Sequence, residues 1–297
     1  MQSKWQKFEK KWDLQPLAPG NKPIFLLGAV WRSGTTLVQR LICSSSEVLL
    51  WGEPYGDAGL IPNMARSASV LLRPDWPIKG HFPQRINNDI GTKVFARPQD
   101  YWIANLYPDP FAIRQSFRNM LDALLQQPAK NHGKDRFGLK EIRLDGLCAE
   151  FLHWIYPDAR FVILVRNPWN AWKSYKDSAW FYSWPDVKVT TASVFCKIWA
   201  RNMNTFLPLR NNPSYMFLRF EDIFSDGETL SQLEEHCQLR QIDREVLAVR
   251  IRGMKKPPHK PTPSELTTIQ RVCGPLAEKL GYTGLDQVGP SALFNYR

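Results

Sequence analysis

An α/β architecture is predicted: three layers, a mainly parallel central sheet with helices on both faces, and a phosphate-cradling loop at the end of the first strand. Three observations carry this. Short apolar runs alternate with segments of helical period along the chain. Those runs are continuously apolar rather than alternating, as strands covered on both faces are. Between the first run and the first helix stands Trp31-Arg32-Ser33-Gly34-Thr35-Thr36-Leu37, a glycine-bearing turn rich in hydroxyls.

Ile24-Phe25-Leu26-Leu27-Gly28, bounded by Pro23 and a glycine, is the first strand. Thr35 to Ile42 continues as a helix with Leu37, Leu41 and Ile42 on one side, and Val48-Leu49-Leu50-Trp51 follows as a second strand. Residues 99–127 read as mostly helical, interrupted near Pro108 and Pro110. Phe137-Gly138-Leu139-Lys140 is a short strand, and Asp145 caps a helix that runs to about Ile155. Arg160 to Val165 is another apolar strand, after which Asn167-Pro168 supplies an N-cap and a first helical residue. A long helix is expected over 187–206, a strand over Tyr215–Leu218, and helices around 228–238, 243–251 and 264–280. Without repeats or low-complexity tracts, the chain is expected to form one domain over 1–297. It carries an N-terminal helical extension over 1–20, with Trp5, Phe8 and Trp12 on one face, and an insert over 54–130.

The 297 residues are 43% hydrophobic and 23% charged, which suits a folded core and excludes a disordered chain. A net charge of +11 and a pI of about 9.5 call for an anionic partner or simple solubility. The cations are scattered, and the one compact basic stretch is Arg250-Ile251-Arg252-Gly253-Met254-Lys255-Lys256. That pattern favours a local anion site over a nucleic-acid track. Cys43, Cys148, Cys196, Cys237 and Cys273 form no C-x-x-C pair and read as reduced, mostly buried thiols. Residues 1–8 lack the apolar core of a signal peptide, and no nearby run approaches the ~20 residues of a spanning helix. The expectation is a cytoplasmic protein without stable membrane insertion.

The turn after the first strand is built for an anion. Gly34 permits a tight loop with inward N–H groups, and the helix that follows adds free N–H groups and a partial positive charge. The Thr35 and Thr36 hydroxyls donate to phosphate oxygens, and Arg32 adds a planar fork. The triphosphate loop G-x-x-x-x-G-K-[ST] would place a lysine after the last glycine, whereas Thr35 follows Gly34. The strand Phe161–Val165 ends in Arg166, where a magnesium-holding Asp would stand. No metal is expected. Arg166 and Ser174, which faces the start of the helix after Asn167-Pro168, form a second phosphate pocket.

With these two motifs in this order, the chain resembles the sulfotransferases that use 3′-phosphoadenosine 5′-phosphosulfate (PAPS), in their bacterial-type small-molecule branch. The resemblance spans roughly residues 22 to 282 and includes Lys140-Glu141-Ile142-Arg143, Leu218-Arg219-Phe220-Glu221-Asp222 and Gly281-Tyr282. It implies a P-loop-like phosphosulfate-binding loop at Arg32, Ser33, Gly34, Thr35, Thr36 and Leu37. It implies a 3′-phosphate site at Arg166 and Ser174, with Arg252, Lys255 and Lys256 as a late basic loop over it. Leu37 stands where cytosolic members stack a tryptophan on adenine, so adenine packing differs here.

In-line displacement at sulfur needs a base, cations for developing charge and a stabilised leaving group. Arg32, the loop amides and Lys140 are the natural stabilisers of the leaving group, and Lys140, 26 residues before Arg166, resembles the family's lysine near the sulfate. Cytosolic members carry the base in K-x-H, but Ile142 replaces that histidine. Another branch uses a glutamate in a G-E segment, matched by Gly52-Glu53, 21 residues past Arg32. Glu53 is the favoured base; His81, in Lys79-Gly80-His81, is the runner-up. The insert over 54–130 is expected to wall the acceptor, with Trp31, Trp51, Trp76 and Trp180 as aromatic candidates. The acceptor is expected to be a hydroxyl, or an N–H, of a small secondary metabolite. Two alternatives remain: a P-loop-like nucleotide-dependent kinase using Lys140 or Lys173, and a non-catalytic anion- or nucleic-acid-binding protein.

Overall fold

The computed structural model describes residues 3–18, 20–53, 56, 58–76, 109–177, 182–183, 187–225, 227–249 and 260–284, with the backbone of 82–83 and 106–107. In chain order these form α1 (Lys4–Lys11), β1 (Ile24–Gly28), α2 (Thr35–Ser44), β2 (Val48–Trp51), α3 (Leu60–Ser69) and two short strands, β3 (Phe82–Pro83) and β4 (Leu106–Tyr107). Next come α4 (Pro110–Leu121), running through a π-turn (Asp122–Gln126) into α5 (Gln127–Asn131), then β5 (Arg136–Glu141) and α6 (Gly146–Ile155). The remainder is β6 (Arg160–Val165), α7 (Pro168–Lys176), α8 (Ala192–Phe206), β7 (Tyr215–Arg219), α9 (Glu228–Cys237) and α10 (Pro263–Glu278).

Five strands make one sheet in the order β2-β5-β1-β6-β7, and every pairing is parallel. Successive side chains of a strand point to opposite faces, so a sheet covered twice needs two cores. That is what the chain builds. Phe25, Leu27, Phe137, Leu139, Phe161 and Ile163 face one core, with residues of α1, α3, α6, α8 and α10. Ile24, Leu26, Val48, Leu50, Val162 and Leu164 face the other, with residues of α2 and α9. The three-layer architecture expected from the continuous apolar runs is therefore present.

Several boundaries differ from the sequence reading, each for a local reason. Within the stretch expected to be helical over 99–127, with an interruption near Pro108 and Pro110, residues 106–107 pair as a strand and a helix begins at Pro110, where Asp109 caps the Phe111 N–H at 2.7 Å; residues 99–105 lie outside the described residues. The long helix starts at Ala192 rather than 187, because the Thr191 hydroxyl accepts from Val194 N at 3.3 Å and closes its N-terminus. The segment read as a helix over 243–251 is a 3-10 turn, Arg244–Leu247, as far as it is described.

The N-terminal stripe is core rather than surface. Trp5 stacks on Trp154 at 4.1 Å, and Phe8 and Trp12 pack on Trp76 at 5.8 and 5.2 Å. Trp76 thus serves the core beside α1 rather than an open aromatic pocket. Arg114, also under α1, pairs with Glu9 at 2.9 Å and donates to the Trp154 carbonyl. Among the described residues no helix is long and apolar enough to cross a membrane. Trp5→Ala is expected to cost about 3–5 kcal/mol, the range for truncating a large buried aromatic. The urea midpoint checks it, and a near-neutral result would mean that α1 is not integral to the core.

Candidate active site

Because all five strands run the same way, their carboxyl ends share one edge, and ligands of such sheets bind there. Along that edge the strand order sets out, in turn, Glu53 after β2, Lys140 to Arg143 at the end of β5, the Arg32–Thr36 loop after β1, Arg166 after β6, and Glu221 after β7. Residues far apart in sequence become neighbours in this way.

The loop after β1 carries two left-handed residues, Arg32 with φ 64° and Gly34 with φ 90°. A left-handed non-glycine costs about 1–2 kcal/mol, so Arg32 holds strain. Gly34 has a second reason to lack a side chain: a Cβ there would lie 2.1 Å from the Phe220 ring. The loop feeds α2, whose N-cap Gly34 provides no side-chain cap. Asp145 closes α6 and Asn167 closes α7, whereas α3 and α9, like α2, start at a glycine without a side-chain cap. The first-turn N–H groups of α2, at Thr35 and Thr36, are thus left for an external acceptor. The Ser33 hydroxyl is spent within the loop on the Val30 carbonyl at 2.6 Å, and the Leu37 N–H on Gly34 O at 3.0 Å. The Leu37 side chain packs toward the core beneath α2.

Three further groups converge on this loop. Arg166 donates to the Arg32 carbonyl at 2.8 Å and stacks over Phe220 at 4.7 Å. Arg32 Nε donates to Ser174 Oγ at 3.2 Å. Burial lowers the Arg166 pKa to about 10, with the Glu221 carboxylate opposing and Arg32 adding to the shift. The buried Arg166 Nε has no hydrogen-bond partner in the structure. An exposed and a half-buried arginine beside open helix N–H groups fit a ligand with more than one anionic group.

A second network steadies this side. Glu221 accepts from Asn167 N at 3.1 Å and from the Tyr282 hydroxyl at 2.9 Å, and Asn167 Nδ2 donates to Gly284 O at 2.7 Å. Burial pushes the Glu221 carboxyl above the ordinary carboxylate range, against the hydrogen bonds that lower it.

Glu53 sits between two cations. Lys140 pairs with Oε1, and Arg143 reaches Oε2 at 2.6 Å. Arg143 also reaches Glu141 at 3.3 Å, and Glu141 accepts from the backbone N–H groups of Ile142 and Arg143 at 2.8 and 3.1 Å. Burial raises the Glu141 pKa, with its backbone hydrogen bonds working against it. Gly56 closes over the group: a Cβ there would lie 2.8 Å from Arg143 and 3.0 Å from Glu141. Ile142, at the position of the K-x-H histidine, is buried in the core.

The structure thus brings Arg32, Arg166 and Ser174 into one group and Glu53 and Lys140 into another on the same edge. Arg143, Phe220 and the Glu221–Tyr282 pair carry no local sequence signal of a role; their contacts reveal one. Trp31 stacks on Tyr182 at 5.4 Å, and Trp51 Nε1 donates to the Leu125 carbonyl at 2.9 Å. His81, Trp180, Arg252, Lys255 and Lys256 lie outside the described residues. Four cysteines are buried and Cys43 is half-buried; burial pushes the Cys237 thiol up to about 12 and raises Cys43 as well. Thiols of that kind are inert as nucleophiles.

A family model described as "Sulfotransferase family" matches residues 23–243. No curated protein matches the chain. Similar solved structures include the sulfotransferase domain of a Synechococcus olefin synthase, with TM-score 0.48, 16% identity and coverage of 91% of this chain and 98% of that one. The sulfotransferase domain from the curacin biosynthetic pathway gives 0.49, 16%, 90% and 99%. A sulfotransferase from Alicyclobacillus acidocaldarius gives 0.44, 14%, 89% and 95%.

Gly34→Ala is expected to destabilise the fold by about 1–3 kcal/mol, from its left-handed backbone and the displaced Phe220 ring. A urea midpoint equal to that of the parent would show that the loop relaxes without cost.

Proposed function

The chain belongs to the sulfotransferase family, and from that premise we propose that it transfers a sulfuryl group from PAPS to a hydroxyl, or an N–H, of a small metabolite in the cytoplasm. One observation carries the donor assignment: the open N-terminus of α2 stands beside the converging Arg32, Arg166 and Ser174. That arrangement suits a nucleotide with a phosphate at each end of its ribose. The loop amides, Thr35 and Thr36 would hold the 5′-phosphosulfate. Arg166 and Ser174 would hold the 3′-phosphate, with Arg252, Lys255 and Lys256 over it. The single-domain reading goes with this assignment, and the segment over 54–130 would then wall the acceptor.

PAPS supplies an activated sulfuryl group whose leaving group is adenosine 3′,5′-bisphosphate. Glu53 takes the proton of the acceptor hydroxyl as its oxygen bonds to sulfur and the bridging S–O bond to the 5′-phosphate breaks. Arg32, the α2 N–H groups and Lys140 meet the negative charge that gathers on that bridging oxygen. The burial of Ile142 in the core supports a carboxylate base, because the K-x-H position is not available to the acceptor. A kinase would need a lysine on the phosphates, and Thr35 follows Gly34 where the triphosphate loop carries one.

Transfer of labelled sulfate from PAPS is expected without added magnesium, and Arg166→Ala is expected to abolish binding of adenosine 3′,5′-bisphosphate in calorimetry. Metal-dependent ATP turnover without bisphosphate binding would overturn the donor reading. Glu53→Gln is expected to lower turnover by about 10²–10⁴-fold, the usual contribution of a general base, with bisphosphate affinity retained. Turnover at the parent rate would remove Glu53 from the base role.

A further inference from the structure

The two cations on Glu53 are not equivalent. Lys140 carries a compact ammonium on a flexible stem, with three donors that reorient freely. Arg143 carries a planar fork that is pinned from below. One of its nitrogens bridges Glu53 Oε2 at 2.6 Å and Glu141 Oε1 at 3.3 Å. Glu141 is in turn fixed by the N–H groups of Ile142 and Arg143 itself. Gly56 packs against both side chains without room for a Cβ. The arrangement is one cation held by Glu53 and one held by Glu53 and Glu141 together.

Charge counting shows what this difference does. Among the described residues, Glu53 and Glu141 are set against Lys140 and Arg143. If Lys140 turns to the sulfuryl end of a bound donor, as the functional reading requires, one cation leaves that balance. Without a second cation in place, the half-buried Glu53 carboxylate would then be strongly disfavoured. Arg143 removes that penalty by staying on Oε2 while Oε1 is released toward the acceptor.

We propose that Arg143 is a positioning residue that holds Glu53 in place when the donor draws Lys140 away. The inference rests on the PAPS reading above, but it assigns a role to a residue that reading leaves unused. It predicts an effect specific to the sulfuryl group. PAPS draws on Lys140, whereas adenosine 3′,5′-bisphosphate, which lacks that group, does not.

The test is a double-mutant cycle on donor affinity in the intact protein, read by calorimetry with PAPS and with the bisphosphate. Arg143→Met is expected to weaken PAPS about tenfold and to change bisphosphate affinity by less than about twofold, a coupling within the range for residues in one ion-pair network. In a Glu53→Gln background no carboxylate is left to strand, so Arg143→Met is expected to have no further effect. Arg143→Lys, which keeps the charge, is expected to recover most of the loss. An equal loss for both nucleotides, or the same loss with and without Glu53, would mean that Arg143 acts on the donor or the fold directly, and the proposal falls. Unchanged PAPS affinity in Arg143→Met sinks it as well. Should that variant fail to fold, Arg143→Gln carries the same expectations. If the parent protein binds neither nucleotide, the PAPS reading fails first and takes this inference with it.

Discussion

A parallel sheet packed on both faces confines polar chemistry to the ends of its strands, and here the carboxyl ends carry it. The five strands are buried against two cores, so their side chains are committed to packing until each strand stops. The order β2-β5-β1-β6-β7 then decides which strand ends become neighbours. Placing β5 between β2 and β1 sets Lys140 next to Glu53 and puts the end of β5 beside the end of β1, where the Arg32 loop begins. Placing β6 on the far side of β1 brings Arg166 to the same loop from the opposite direction. The two halves of the site share β1 as their common wall.

Such a concentration of cations needs internal balance. Each basic group on the edge is met by a carboxylate, a carbonyl or a hydroxyl of the protein: Lys140 by Glu53, Arg166 by the Arg32 carbonyl, Arg32 by Ser174. Burying a charge without a partner costs several kcal/mol, so this pairing is what lets the edge exist without a ligand. It also means that a bound anion competes with contacts already made. The strained backbone at Arg32 and the uncapped start of α2 belong to the same economy, since both leave polar groups oriented for a guest.

Much of this was legible beforehand, for definable reasons. The strands announce themselves by continuous apolar runs, because burial on both faces leaves no polar alternation to blur the signal. Arg32, Arg166 and Ser174 are readable because short loops tie them rigidly to strands whose positions are clear. Arg143 was visible only as a letter in a segment. Its role depends on Glu53 and Gly56, which arrive from another strand end, and no local pattern encodes that meeting. The Glu221–Tyr282 hydrogen bond is hidden for the same reason. The long helix starts at Ala192 rather than 187 because a single capping contact, from Thr191, overrides the wider periodicity.

The strand order also shapes how the chain is made. β1, fully buried along its length, is flanked only by β5 and β6. During synthesis at about 5–20 residues per second, β1 waits on the order of 5–20 s for Arg136–Glu141 to follow it. In that interval the strand at hand is β2, joined to β1 through α2 in a unit that would ordinarily pair side by side. In the finished sheet β5 lies between them. A nascent β1–β2 ladder is therefore a trap that the native order must avoid or undo. The strand that ends in Lys140 is also the wedge whose entry decides whether the sheet assembles correctly.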